Sequence, residues 1–314
     1  MGSAGKPQAK DPFAGYKPQA VDRSWLTEPD EQSARSAEII RLVVDEERGH
    51  CGPWVNAYYQ ESFLQNVQEF IGPTNAVLAT YAGTITAPID PPDSTLDSLR
   101  SGLATLQAAL GRVHVGPGEM LLGMDGCIPG ETTSLQTVVH LRGEPHVSLS
   151  NTTVKLYPTS EERPSLLGWQ LCEASGRVPD ELAATRRVQT AIGTVLVLVC
   201  NDAALFSARS QANLRGGPGL AIRQHFLEQA QAEPRPAYIL VSTHWQGTNP
   251  DTSRWSGEAF RQAREYLADK TGATVVITLR APGKELETAA TRFGVLGPRQ
   301  DKVATLLVRD GPPG

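Results

Sequence analysis

Thr194-Val-Leu-Val-Leu-Val-Cys200-Asn-Asp202, led by Gly193, is the stretch whose reading decides the fold. An unbroken valine and leucine run predicts a strand buried on both faces, which is the strand type of α/β proteins. Open α/β architectures place their chemistry at the C-terminal ends of such strands. Cys200 closes this one, and Asn201 and Asp202 follow at once. Two readings of the thiol stand side by side: a core cysteine, since free cysteine is among the most buried residue types, or a nucleophile at a strand end.

The rest of the chain alternates in the same manner. Outward from that strand, Ala76–Tyr81, Glu119–Met124, Tyr238–Ser242, Thr274–Leu279 and Val303–Val308 predict further strands. Leu135–Leu141 and Val147–Tyr157 alternate around Arg142-Gly-Glu-Pro145, the pattern of a hairpin. Leu96, Leu99, Leu103, Leu106 and Leu110 form one apolar stripe, capped by Asp93 or Ser94. Helices are also predicted at Phe63–Ile71, Ala203–Leu214, Leu220–Gln231 and around Phe260–Leu267, with a breaker at Gly216–Gly219. Ile39, Ile40, Val43 and Val44 predict a short helix, and Cys51-Gly-Pro-Trp54 a turn. Strands interleaved with helices give an α/β sandwich. Residues 1–35, without apolar period, read as a flexible arm; 36–73 read as a helical N-terminal extension, and 74–314 as the α/β domain.

Composition narrows the function. With 314 residues, a net charge of -5 and no basic stripe, the chain does not read as a nucleic-acid binder. No apolar run has the length of a membrane span, and neither a signal-peptide core nor a myristoylation motif is present. Four cysteines (Cys51, Cys127, Cys172, Cys200) lie far apart without a CxxC pair, so free thiols and a cytoplasmic setting are expected. HExxH and paired CxxC are absent, and Gly111, Gly116 and Gly118 do not make a dinucleotide fingerprint. No cofactor or metal is expected.

A cysteine nucleophile needs a base and a group to hold an oxyanion. Among six histidines only His244, in Thr243-His-Trp245, closes the strand beside that of Cys200. A lysine with a carboxylate is the other route: an ammonium lowers a neighbouring thiol's pKa, and a carboxylate carries the proton. Asp125 follows the strand Met120–Met124, and Lys155 ends the second hairpin arm in Val154-Lys-Leu-Tyr-Pro158.

Taken together, Gly193–Asp202, Val154–Pro158 with Glu161 and Glu162 soon after, and the unit from Asp93 to Asp125 resemble the nitrilase, or carbon–nitrogen hydrolase, superfamily. Leu240-Val-Ser-Thr-His-Trp245, Trp255, Arg261-Gln-Ala-Arg264 and Ala273–Thr278 are similar to the segment after the nucleophile in its amidase-type members. The resemblance covers roughly residues 74–310. It implies a four-layer α-β-β-α sandwich, a Glu–Lys–Cys triad, a homo-oligomer, and a cysteine amidohydrolase acting on a small carboxamide or nitrile through a thioester. Carried over, Cys200 is the nucleophile, Lys155 with the Asn201 backbone N–H holds the oxyanion, Glu173 matches a second glutamate, and His244 and Trp245 line the pocket. The chain departs from the pattern at the first acid, where Asp125 after Met124 stands for a glutamate after proline, and in a short Asp125–Lys155 segment. Glu131 and Glu119 are alternative acids. The competing expectation is a catalytically silent nitrilase-like binding or scaffold protein.

Overall fold

The computed structural model describes residues 36–45, 57–113, 115–116, 118–128, 133–208, 216–245, 254–281 and 285–308. The run before Cys200 is a strand, β8 (Gly193–Val199), fully buried from Val195 to Val199. Its side chains part by parity. Val195, Val197 and Val199 enter one apolar cluster, while Leu196 and Leu198 enter another. The same division splits Leu240 from Ile239 and Val241 in β9 (Tyr238–Trp245), and Val276 from Val275 and Ile277 in β10 (Thr274–Ala281). A period of two sends alternate residues to opposite faces, so each strand feeds two cores at once.

The strands join as one strip in the order β6-β5-β4-β2-β1-β10-β9-β8-β7, with β11 paired to β1 and β3 to β4. Here β1 is Ile39–Asp45, β2 Val77–Ala79, β3 Ile85–Pro88, β4 Glu119–Cys127, β5 Thr133–Arg142, β6 Thr152–Val154, β7 Arg187–Thr190 and β11 Val303–Val308. The strip folds over, so that β5 and β6 lie against β8 without being bonded to it. The smaller cluster, including Leu121, Val138, Val197 and Leu240, fills the space between the two sheet layers. The larger cluster lies outside them, under the helices. These are α1 (Ala57–Ile71), α2 (Leu96–Leu110), α3 (Leu167–Ser175), α4 (Asp180–Ala183), α5 (Gly217–Gln231), α6 (Arg254–Thr271) and α7 (Leu286–Arg292). The layering is α-β-β-α, as the resemblance implied. No helix among the described residues is long and apolar enough to cross a membrane.

Several local expectations are corrected. Ile39–Asp45 is a strand rather than a helix, and it pairs in parallel with β2, β10 and β11. The α/β unit therefore takes in residues before 74, and 36–73 is not a helical extension. The spacing of Ile39, Ile40, Val43 and Val44 suits a helix face, but a run buried on both sides with β-branched residues suits a central strand better. The cap of α2 is Thr95, whose side chain accepts from Ser98 N; Asp93 instead accepts from the Thr95 and Ser98 hydroxyls. β4 runs on to Cys127, which puts Asp125 inside the strand. The second hairpin arm is short, a 3-10 turn at Leu149–Asn151 leading into β6, and Gly217–Gly219 open α5 instead of breaking the chain. After Cys200 the chain makes a 3-10 helix to Phe206. The arm (1–35), the Cys51–Trp54 turn and Glu131 lie outside the described residues.

Candidate active site

Parity also builds the site. Asp125 follows Leu121 on the inner face of β4, Gln136 precedes Val138 on β5, and Lys155 follows Thr153 beyond β6, while His244 lies where the β9–β10 ladder shifts register between Ser242 and Trp245. At this end of the layer between the sheets, apolar residues give way to polar ones. Asp125 stands opposite Gln136 in the β4–β5 ladder, and Lys155 N donates to Gln136 O at 2.8 Å. Cys200 enters from the facing layer, one residue beyond Val199, which pairs with Ser242.

The turn that presents the thiol is strained. Cys200 has φ +49°, and it is the one non-glycine residue with positive φ among those described. An L-residue in that region costs about 1–2 kcal/mol, and such strain persists where surrounding structure enforces it. Asp202 supplies the enforcement. Its fully buried carboxylate accepts from the Val199 N–H at 3.1 Å, the Leu156 N–H at 2.9 Å and the Tyr157 N–H at 2.8 Å. Arg186, also fully buried, donates to Asp202 at 2.9 Å and to the Val154 carbonyl. One ion pair thus ties the lysine segment to the cysteine turn.

Lys155 is fully buried and its ammonium is saturated. Nζ donates to Gln136 Oε1 at 2.9 Å and to Glu162 Oε1 and Oε2 at 2.8 and 2.7 Å, which accounts for its three N–H groups. Gln136 in turn donates to Glu162 at 2.6 Å. Gly168 at the start of α3 lets the helix approach this point, because a Cβ there would overlap the Lys155 carbonyl oxygen.

On the other side, His244 Nε2 lies 2.5 Å from Asp125 Oδ2, with the Asp125 side chain only 3% exposed. The imidazole also hydrogen-bonds the Cys200 thiol. Asp125 Oδ1 is buried and has no hydrogen-bond partner among the described residues. Gly83, at φ +75°, makes room for the pair: a Cβ there would sit 2.8 Å from Asp125 Oδ2 and 3.5 Å from His244 Cδ2.

These contacts polarise the groups. Burial raises the Cys200 pKa, but the charges of Lys155 and His244 outweigh it and the thiol ends below its ordinary value. Burial lowers His244, yet Asp125 and Cys200 together push it up to about 10. Burial likewise raises Glu162, and the Lys155 ammonium overrides it and holds the carboxyl at about 2. Lys155 is raised despite its burial by Cys200 and Glu162. Two cations, each backed by a carboxylate, thus flank the thiol and favour its ionised form.

No family model matches the chain, and no curated protein matches it. Its likeness is to solved structures of the nitrilase superfamily. A cysteine-to-alanine mutant of the Nesterenkonia AN1 amidase is 14% identical, with 78% of each chain covered and a TM-score of 0.44. A carbon–nitrogen hydrolase from Helicobacter pylori G27 is 10% identical over 82% of this chain and 78% of its own, at 0.43. XC1258 from Xanthomonas campestris, a CN-hydrolase superfamily protein, is 13% identical over 79% and 78%, at 0.42.

Against the nitrilase pattern, the structure brings Cys200, Lys155, Asp125 and His244 together and leaves other sequence-derived residues elsewhere. Glu173 is exposed on α3; the carboxylate on Lys155 is Glu162, seven residues downstream of the lysine. Glu119 sits at the opposite end of β4, held by His140 at 2.7 Å and the Ala191 N–H at 2.7 Å, so it is not a substitute acid. The Asn201 side chain donates to Pro158 O at 2.8 Å. The side chain of Trp245 lies outside the described residues. Sequence reasoning missed Gln136 and Arg186 as parts of the site, and placed Glu162 in the lysine motif without giving it a role. Gln136 had a usable signal, a polar residue at an inward position two before Val138.

Proposed function

We propose that this chain is a cysteine-dependent hydrolase or acyl transferase that cleaves the non-peptide C–N bond of a small carboxamide or nitrile through a thioester on Cys200. The observation that carries this reading is Cys200 itself: a strained left-handed turn holds this half-buried residue beside Lys155 and His244, and both cations favour its thiolate. Such a thiolate attacks a carbonyl or nitrile carbon, and the charge that moves onto oxygen or nitrogen meets a positive environment. Lys155 acts there through its charge, since Gln136 and Glu162 hold its donors. The backbone N–H of Asn201, next to the nucleophile, is assigned to the oxyanion. We take the buried setting of these groups, at one end of the packed layer between the sheets, to favour small substrates over polypeptides.

The test is ammonia release from a panel of aliphatic and aromatic carboxamides and nitriles, with intact-mass detection of the acyl-enzyme and hydroxylamine as a competing acceptor. Wild type is expected to release ammonia and carry an acyl adduct that Cys200→Ala lacks. Failure of every panel member to turn over or to acylate the protein would contradict the hydrolase reading in favour of a nitrilase-like binding protein.

A further inference from the structure

We infer that His244 is the proton carrier of this site: the imidazole takes the Cys200 proton and later delivers it to the leaving amine, and Asp125 acts through the imidazole as a positioning residue. The identity of the leaving amine rests on the function proposed above; the acid–base role does not.

The geometry separates the two candidates for the base. Asp125 Oδ2 is occupied by His244 Nε2 at 2.5 Å, and the same ring hydrogen-bonds the Cys200 thiol. The imidazole therefore has both the carboxylate and the sulfur as partners. A base must be within hydrogen-bond reach of the proton it moves, and here the ring meets that condition while its carboxylate serves to orient and charge it. Gly83 preserves the pair by presenting no Cβ to either partner.

The charged groups around the ring are Asp125 on β4, Cys200 on the turn after β8, and Lys155 with its counterion Glu162 beyond β6. Arg280, on the neighbouring β10, lies over the Tyr81 ring at 5.1 Å. The sequence begins with the Cys200 proton passing to the imidazole, which gives thiolate and imidazolium. As the C–S bond forms, the carbonyl π pair moves onto oxygen. The imidazolium proton then passes to the amide nitrogen, the C–N bond breaks with its pair on nitrogen, and the carbonyl re-forms as the thioester. The now neutral imidazole takes a proton from water, and the hydroxide adds to the thioester. The C–S bond breaks with its pair on sulfur, which restores thiolate and imidazolium and releases the acid.

Two readings without substrate test the inference. The first follows the His244 ring protons by NMR across pH in wild type, Asp125→Asn and Asp125→Glu. Titration well above the ordinary histidine range is expected in wild type, falling in Asp125→Asn and recovering at least partly in Asp125→Glu. The second follows Cys200 alkylation by iodoacetamide against pH in wild type and His244→Gln. The variant's midpoint is expected to move up by about one pH unit or more. Titration of His244 at its ordinary value in wild type, or an unchanged alkylation profile in folded His244→Gln, would overturn the inference. Absent amide turnover with both readings as expected would remove the hydrolase and keep His244. Amide turnover by His244→Gln at the wild-type rate would keep the hydrolase and remove His244.

Discussion

Asp202 and Arg186 form a fully buried ion pair at 2.9 Å, and the carboxylate of that pair also binds the backbone on either side of the site. The spacing of Lys155 from Cys200 is therefore set by a residue that need not touch a substrate. Removing one partner of a buried pair leaves an uncompensated charge, which typically costs about 3–5 kcal/mol. Asp202→Asn is expected to lose stability on that scale in urea unfolding, and to slow Cys200 alkylation as the turn relaxes. A loss within experimental error would mean that the pair is not what fixes the turn.

Gly83 and Gly72 separate backbone strain from site disruption. Both have positive φ, +75° and +68°, but a Cβ at Gly72 meets nothing within 4 Å while one at Gly83 meets Asp125. Each alanine variant is expected to lose about 1 kcal/mol of stability from the left-handed backbone. Only Gly83→Ala is expected to slow Cys200 alkylation at neutral pH, because it displaces Asp125 from His244. Equal alkylation rates in the two variants would contradict that placement.

The pH dependence of stability has two limbs of opposite sign. Glu162 is held at about 2 in the folded chain against an ordinary 4.5, so its contribution is complete above pH 4.5 and is lost as pH falls through about 2. That shift corresponds to roughly 3 kcal/mol. His244 is raised from 6.5 to about 10, so its contribution is complete below pH 6.5 and is lost as pH rises through about 10. Thermal melts across pH are expected to show a plateau between these limbs. Glu162→Gln should flatten the acid limb and leave the alkaline one, with His244→Gln doing the reverse.

Much of this was legible in the sequence, and the misses have physical causes. The Val195–Val199 run shows itself as a buried strand because both of its faces are apolar, and Cys200 and Lys155 stand out at strand ends. Ile39–Val44 satisfies a helix face and a buried strand alike, and only its place between β2 and β10 decides. Asp125 belongs inside β4 because Gly126 and Cys127 continue the ladder, which a glycine after a carboxylate disguises as a turn. His244 was visible as the end of the strand beside that of Cys200, but its link to Asp125 spans 119 positions and arises from the folding over of the sheet. Glu162 was read as part of the lysine motif, yet its bond to Lys155 depends on a loop that carries no periodicity. Parity identifies inward positions; it does not say which inward residues meet across the layer.

The most direct test of an activated Cys200 is intact-mass labelling with limiting iodoacetamide near neutral pH on wild type, Cys200→Ala and Lys155→Ala. Rapid addition of one label is predicted for wild type, absent from Cys200→Ala and slowed in Lys155→Ala. Slow labelling spread over all four cysteines, unchanged by either substitution, would show that Cys200 is an ordinary core thiol and contradict the proposed chemistry.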